Sequence, residues 1–410
     1  MSAELLLYVI MAIVGLEFLL EQWLESLNAK YFKRPVPEEL KDVFDETEYQ
    51  KSVKYKLEKY RFGKIQSWLS FIIILLALWF GGFGWLDDFV KNITENSIYQ
   101  SLLFFGILFG VSFTVSLPFD YYFTFVIEEK FGFNKSTLSL FFKDKIKSFL
   151  LALILGGLVG YVLIWLYYKL GPGFWIPAWI FMTLFSLVLT MFYSDVIVPL
   201  FNKQTPLEAG ELRDRLEDLA RRAGFRLKDI YVIDSSKRST KANAYFSGLG
   251  PRKRIVLYDT LIEDLSPEEI TAVLAHEIGH YKKKHILIQF VVSTLFTGLM
   301  LYLLSVALES DVLASALGAE KASFHIGMIA FLLLYSPFSM ITSLITNVLS
   351  RKFEFQADAF AKRFGFENEL ISALKKLSRK SLSNLTPHPR YVFFHYSHPP
   401  LIERIKHLKK

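Results

Sequence analysis

Seven apolar runs, each long enough to cross a bilayer, constrain this chain more than any other feature. They cover about Leu5–Leu24, Ile65–Leu86, Ser101–Tyr121, Phe149–Tyr168, Phe174–Leu200, Ile286–Leu308 and Phe324–Leu349. About twenty apolar residues in a helix match the hydrocarbon thickness of a membrane. A chain of 410 residues could otherwise make two or three soluble domains. With 52% hydrophobic residues, 39 of them Phe, and a mean hydropathy of +0.31, it reads instead as a polytopic membrane protein. The first run lacks a basic leader and a small-residue cleavage site, so a retained helix is expected rather than a signal peptide.

The charges sort the loops. Stretches after spans one, three and five, and the segment after span seven, are rich in Lys and Arg; those after spans two and six are acidic. The positive-inside rule then places residues before span one outside and the stretch between spans five and six inside. The net charge of +7 fits basic loops facing anionic lipid. No basic-aromatic module accompanies it, so nucleic acid is not an expected partner.

Four regions follow: 1–200 with spans one to five, 201–284 as a soluble-side α+β segment, 285–349 with spans six and seven, and 350–410 as a basic helical segment. Asp87 to Glu95 and Phe123 to Lys147 read as loops, and Pro118 as an interruption of span three. In the second region, Glu208–Ala223 has helical spacing. Leu227–Ile233, Ala244–Leu249 and Arg254–Tyr258 read as strands, the last two around Gly250-Pro251. Ser266-Pro267-Glu268-Glu269 is a strong helix start, with Ser as N-cap, Pro at the first position and Glu at the third. Nothing in the sequence breaks that helix before span six.

That helix carries His276-Glu277-Ile278-Gly279-His280. Histidines four apart share one helix face, so one zinc ion can bind both, with Glu277 placed as a base toward an activated water. The chain has no cysteine, which excludes disulfides and thiolate ligands. A third ligand must be His, Asp or Glu. Glu354, just past span seven on the same side, is the best candidate. Asp358, one turn on, could accept a hydrogen bond from the free nitrogen of His276 or His280. Ala275 and Gly279 suit close packing beside a metal. His280 lies about 8 Å of helical rise from span six, which sets the metal at the membrane surface.

Ser336, Ser339, Ser343, Asn347, Glu354 and Asp358 would form one polar stripe if the seventh helix runs unbroken. Such a stripe serves either a wet cavity or helix–helix contact. Glu17, Asp120 and Asp195 near membrane depth favour the cavity.

These motifs, with Phe125-Val126-Ile127-Glu128-Glu129-Lys130-Phe131-Gly132-Phe133-Asn134-Lys135, Pro199-Leu200-Phe201-Asn202, Asn243-Ala244-Tyr245 and Tyr396-Ser397-His398-Pro399-Pro400, resemble the CAAX prenyl protease 1 family over nearly the whole chain. The resemblance implies a mainly α fold: seven transmembrane helices enclosing a water-filled chamber, plus a small α+β zinc-metalloprotease domain. It implies one zinc held by His276, His280 and Glu354, with Glu277 as general base. It also implies His398 as an oxyanion stabiliser, with Arg404 assisting, and Asn243 and Ala244 as an edge strand binding substrate backbone. The expected activity is zinc-dependent cleavage near the C-terminus of prenylated peptides or proteins, in the endoplasmic reticulum or bacterial inner membrane. Two other readings stay open. One is a bacterial quality-control metalloprotease; the other is a transporter or channel with a structural metal.

Overall fold

The computed structural model describes residues 2–225, 229–247 and 254–410, with backbone alone at 246–247. In chain order the helices are α1 (Ala3–Tyr31), α2 (Glu46–Trp79), α3 (Gly82–Ile93), α4 (Ser97–Tyr122), α5 (Leu138–Leu170), α6 (Trp175–Phe192), α7 (Val198–Phe201), α8 (Glu211–Arg222), α9 (Asp259–Asp264), α10 (Pro267–Lys282), α11 (His285–Ala307), α12 (Asp311–Ala316), α13 (Phe324–Arg363), α14 (Glu367–Lys380), α15 (Pro389–His395) and α16 (Leu401–Lys409). The strands are β1 (Gln204–Pro206), β2 (Asp229–Ile233), β3 (Ala244–Ser247) and β4 (Arg254–Tyr258).

Six helical stretches among the described residues are long and apolar enough to cross a membrane. Where seven separate runs were expected, the fourth and fifth form one stretch of 64 residues, Leu138–Phe201. It is divided into α5 and α6 by a 3-10 turn at Gly171–Phe174, where Gly171 takes a positive φ of 60°. Leu16, Ile154 and Leu295 are 68%, 67% and 58% exposed on these helices. Large apolar side chains bared in this number suit contact with lipid rather than water.

Several boundaries depart from the sequence reading. Asp87 to Glu95 is not a loop: most of it lies in α3, whose Asp87 is fully buried. The helix α4 passes through Pro118 and continues as a π-helical turn, Phe123–Glu128, leaving only a short connection before α5. A π turn absorbs an extra residue without ending the helix, and composition alone does not announce it. Asp120 is paired with Lys145 at 2.5 Å and Asp195 with Arg254, so both acids have cationic partners, and Asp120 lines a cavity with Asp144, Lys145 and Arg238. The stripe on α13 lies on one continuous helix; its Asn347 donates to the Phe394 carbonyl at 2.7 Å, tying α13 to α15.

The four strands form one sheet in the order β1-β2-β4-β3, antiparallel except for the parallel β2–β4 pair. Strand β1 was not foreseen: three residues ending in Pro carry little strand signal. Leu227, Leu249 and the Gly250-Pro251 turn lie outside the described residues. The main apolar core joins the sheet to the helices around it. Leu216 and Leu219 of α8, Ile255 and Leu257 of β4, Ile270, Leu274 and Ile278 of α10, Leu370 of α14 and Ile405 of α16 all meet there. Each such side chain stabilises the fold by about 1.5–3 kcal/mol. The back of α10 is thereby fixed, and its other face is left for chemistry.

Candidate metal centre

Helix α10 starts where its sequence says it should. The Ser266 hydroxyl accepts from Glu269 N at 3.3 Å, and the Glu269 carboxylate accepts from Ser266 N at 2.8 Å. Glu269 is buried and also bonds Ser372 and Lys376 of α14, at 2.7 and 2.8 Å. Burial alone would raise its pKa; these hydrogen bonds outweigh that and hold it below the usual carboxylate value.

Helix α10 lies along α13. A Cβ built on Gly279 would stand 2.9 Å from the Phe360 Cβ and 3.0 Å from the Ala357 Cα. Only a residue without a side chain permits this approach. It brings His276 and His280 to Glu354 of α13, with one ligand atom from each inside a 4.8 Å group. The His276 and His280 Nε2 atoms are 3.2 Å apart. Glu354 Oε1 lies 3.2 Å from His280 Nε2, and Oε2 lies 3.5 Å from His276 Nε2. Oε2 is buried and, among the described residues, makes no well-formed hydrogen bond, with Arg404 3.3 Å away on its far side. A buried carboxylate oxygen so weakly satisfied is costly, and two imidazole nitrogens aimed at the same point make a donor set that fits zinc.

Asp358 stands behind His276, its Oδ1 2.8 Å from Nδ1. Arg404 of α16 binds Asp358 through two hydrogen bonds, at 2.9 and 2.6 Å, and reaches within 3.3 Å of Glu354. Burial works against a charged His276, but the hydrogen bonds to Asp358 and Glu354 prevail and push it up to about 9. Arg404, expected by resemblance to assist His398, lies at the rear of the carboxylates, buried and engaged there.

In front lies a cavity of about 520 Å³ whose walls include Ala244, Glu277, His280, Glu354 and His398, with Ser186 and Thr190 of α6 above. His398 is exposed, 3.4 Å from Glu354 Oε1. Ala244 opens β3, which among the described residues pairs with β4 only; Ala244 and Tyr245 line this space. Asn243 precedes it, exposed, its side chain accepting from Ala244 N at 2.9 Å.

The motif helix does not run into span six. It ends at Lys282, and Lys284 adopts a left-handed φ of 59° before α11 begins at His285. Three consecutive lysines carry no breaker signal, so the corner was invisible in sequence. The turn sets His285 against the site, Nδ1 to Nδ1 of His280 at 3.0 Å, while its Nε2 meets Gln356 Oε1 at 2.8 Å. Neither His285 nor Gln356 was singled out from sequence. A third histidine five residues past the motif, and a Gln between Glu354 and Asp358, were the available signals.

Chemistry of this kind, mounted on membrane helices, belongs to the integral-membrane metallopeptidases. The profile described as "CAAX prenyl protease N-terminal, five membrane helices" matches residues 26–203, and that of "Peptidase family M48" matches 206–410. The chain belongs to peptidase family M48. A "CAAX prenyl protease 1 homolog" of Dictyostelium discoideum is 38% identical over 408 residues, covering 96% of this chain and 95% of the relative. One from Oryza sativa subsp. japonica is 38% identical over 403 residues, with 96% and 95% covered. A solved structure, "Crystal Structure of S. mikatae Ste24p", superposes with a TM-score of 0.94 at 35% identity, covering 99% of each chain.

Proposed function

We propose that this chain is a zinc endopeptidase that cleaves near the C-terminus of prenylated CAAX-type substrates inside a membrane-enclosed chamber. The observation that carries it is the cluster of His276, His280 and Glu354, one ligand atom from each inside a 4.8 Å group, at a cavity walled in part by α6 and α11. The names of the full-length relatives support the substrate class. Counting α5 and α6 as separate crossings gives seven spans around the chamber, and the basic loops favour a site on the cytoplasmic side.

Those three residues would hold one zinc ion, which when bound would supply Lewis acidity toward a carbonyl and water. Glu277 takes the proton from the attacking water and delivers it to the leaving amine nitrogen. The β3 edge at Asn243 and Ala244 holds the extended substrate by main-chain hydrogen bonds. His398 donates to the oxygen on which negative charge develops. Asp358 and Arg404 fix His276 and Glu354 from behind.

The test is product mapping on one peptide in farnesylated and unprenylated form. Cleavage near the C-terminus of the farnesylated peptide, stopped by a chelator and restored by zinc, is expected, with the unprenylated form turned over about tenfold or more less efficiently. Equal turnover of both would favour a quality-control protease. Solute flux without cleavage would favour a transporter.

A further inference from the structure

Resting on the zinc site above, we propose that His285 and Gln356 form a neutral hydrogen-bond relay that positions His280 for the metal. With His280 Nε2 given to the metal, the geometry leaves one consistent assignment of protons. His280 turns Nε2 toward His276 and Glu354, each at 3.2 Å, so its remaining proton sits on Nδ1. That N–H donates to His285 Nδ1 across 3.0 Å. His285 then carries its own proton on Nε2 and donates to the Gln356 carbonyl oxygen across 2.8 Å. The chain of bonds ends on an amide oxygen, which accepts a hydrogen bond and carries no charge.

Packing holds the relay in place. His285 is only 3% exposed and stacks on Phe353, centroids 4.1 Å apart and planes 11° from parallel. The left-handed Lys284 makes the corner that folds α11 back over His280. Gln356 sits on α13 two residues from Glu354, so one helix supplies a ligand and the end of the relay.

The two histidines are therefore backed differently. His276 rests on the Asp358 carboxylate, which Arg404 neutralises in part. Among the described residues, the Nδ1 side of His280 rests on His285 and, through it, on the Gln356 amide. A second carboxylate would make His280 a stronger donor and the metal a weaker acid. The neutral relay orients the ring without that penalty.

The experiment uses full-length protein, comparing wild type with His285→Ala, Gln356→Leu and Gln356→Glu. Zinc affinity is read by chelator competition and ligand geometry by the visible spectrum of the cobalt-loaded protein. His285→Ala is expected to weaken zinc binding about 10- to 100-fold and to shift the cobalt bands, with KM for peptide little changed. Gln356→Leu acts in the same direction, more weakly. Gln356→Glu is expected to hold zinc at least as tightly while moving the acid limb of the kcat/KM profile to higher pH. Wild-type zinc affinity and cobalt spectra in both His285→Ala and Gln356→Leu overturn the relay; if His285→Ala does not fold, Gln356→Leu decides. A wild-type protein that binds no zinc overturns the underlying site, and the relay with it.

Discussion

The Nδ1 of His276 and the Oδ1 of Asp358 lie 2.8 Å apart, between two helices that only Gly279 allows to touch. The contact fixes which imidazole nitrogen faces Glu354. The two carboxylates also outweigh burial, which opposes the charge, and raise the pKa of the ring. Metal must displace the ring's proton, so loading is expected to release it and to weaken as pH falls.

Asp358→Asn keeps the shape and removes the charge. The substitution is expected to lower zinc affinity about 10- to 100-fold, read by chelator competition. Arg404 would then face Glu354 alone across 3.3 Å. Unchanged affinity would show that Asp358 serves packing and not the metal.

Glu277 touches the cavity and is not part of the three-ligand cluster. Glu277→Ala should therefore keep one zinc per chain while peptide cleavage drops by at least about 10²–10⁴, the usual contribution of a positioned base. Turnover in a pure, metal-loaded sample would falsify the assignment.

Gly279→Ala tests the helix contact. Its Cβ meets Phe360 and the Ala357 backbone at 2.9 and 3.0 Å, so α10 must move outward. Overpacking of this kind costs about 1–3 kcal/mol. A lowered Tm with weakened zinc binding is expected, since the shift parts both histidines from Glu354. A Tm drop with intact zinc affinity would mean that the site tolerates the displacement.

Glu269 ties the start of α10 to α14, and its folded pKa is depressed. A depressed carboxylate stabilises the fold above its unfolded pKa, and the contribution disappears as pH falls through the folded value. Glu269→Gln is thus expected to lose about 1–2 kcal/mol near neutral pH. The deficit should shrink in acid, below the ordinary Glu range. Parallel stability curves at all pH values would rule out the charge as its source.

Much of the site could be read from the chain because its signals are local. The Ser266 cap, the His276–His280 spacing and the Glu354–Asp358 turn each depend on residues within one or two helical turns. What escaped depends on tertiary contact. The burial of Asp87 needs His325 of α13, 2.8 Å away and itself fully buried. The pairing of Asp120 with Lys145 and of Asp195 with Arg254 joins residues 25 or more apart in the chain, which spacing does not reveal. Arg404 was expected beside His398 because sequence gives spacing along the chain but not the side of Glu354 on which α16 packs.

The corner at Lys284 is the feature sequence hid most completely, and it yields the sharpest backbone test. Its left-handed φ of 59° costs an L-residue about 1–2 kcal/mol that glycine escapes. Lys284→Gly should keep the corner and raise Tm slightly, the gain reduced by the freer unfolded chain. Lys284→Pro should do the reverse. Proline fixes φ near −65° and removes the N–H that now donates to the Tyr281 carbonyl at 2.9 Å. Proline also disfavours helical backbone at Lys283, so α10 could neither keep this corner nor run on through it, and the altered turn would carry His285 away from His280. The expected result is a lower Tm together with weakened zinc binding, measured in the same preparations as Lys284→Gly. Equal zinc affinity in both variants would show that the corner does not set the site.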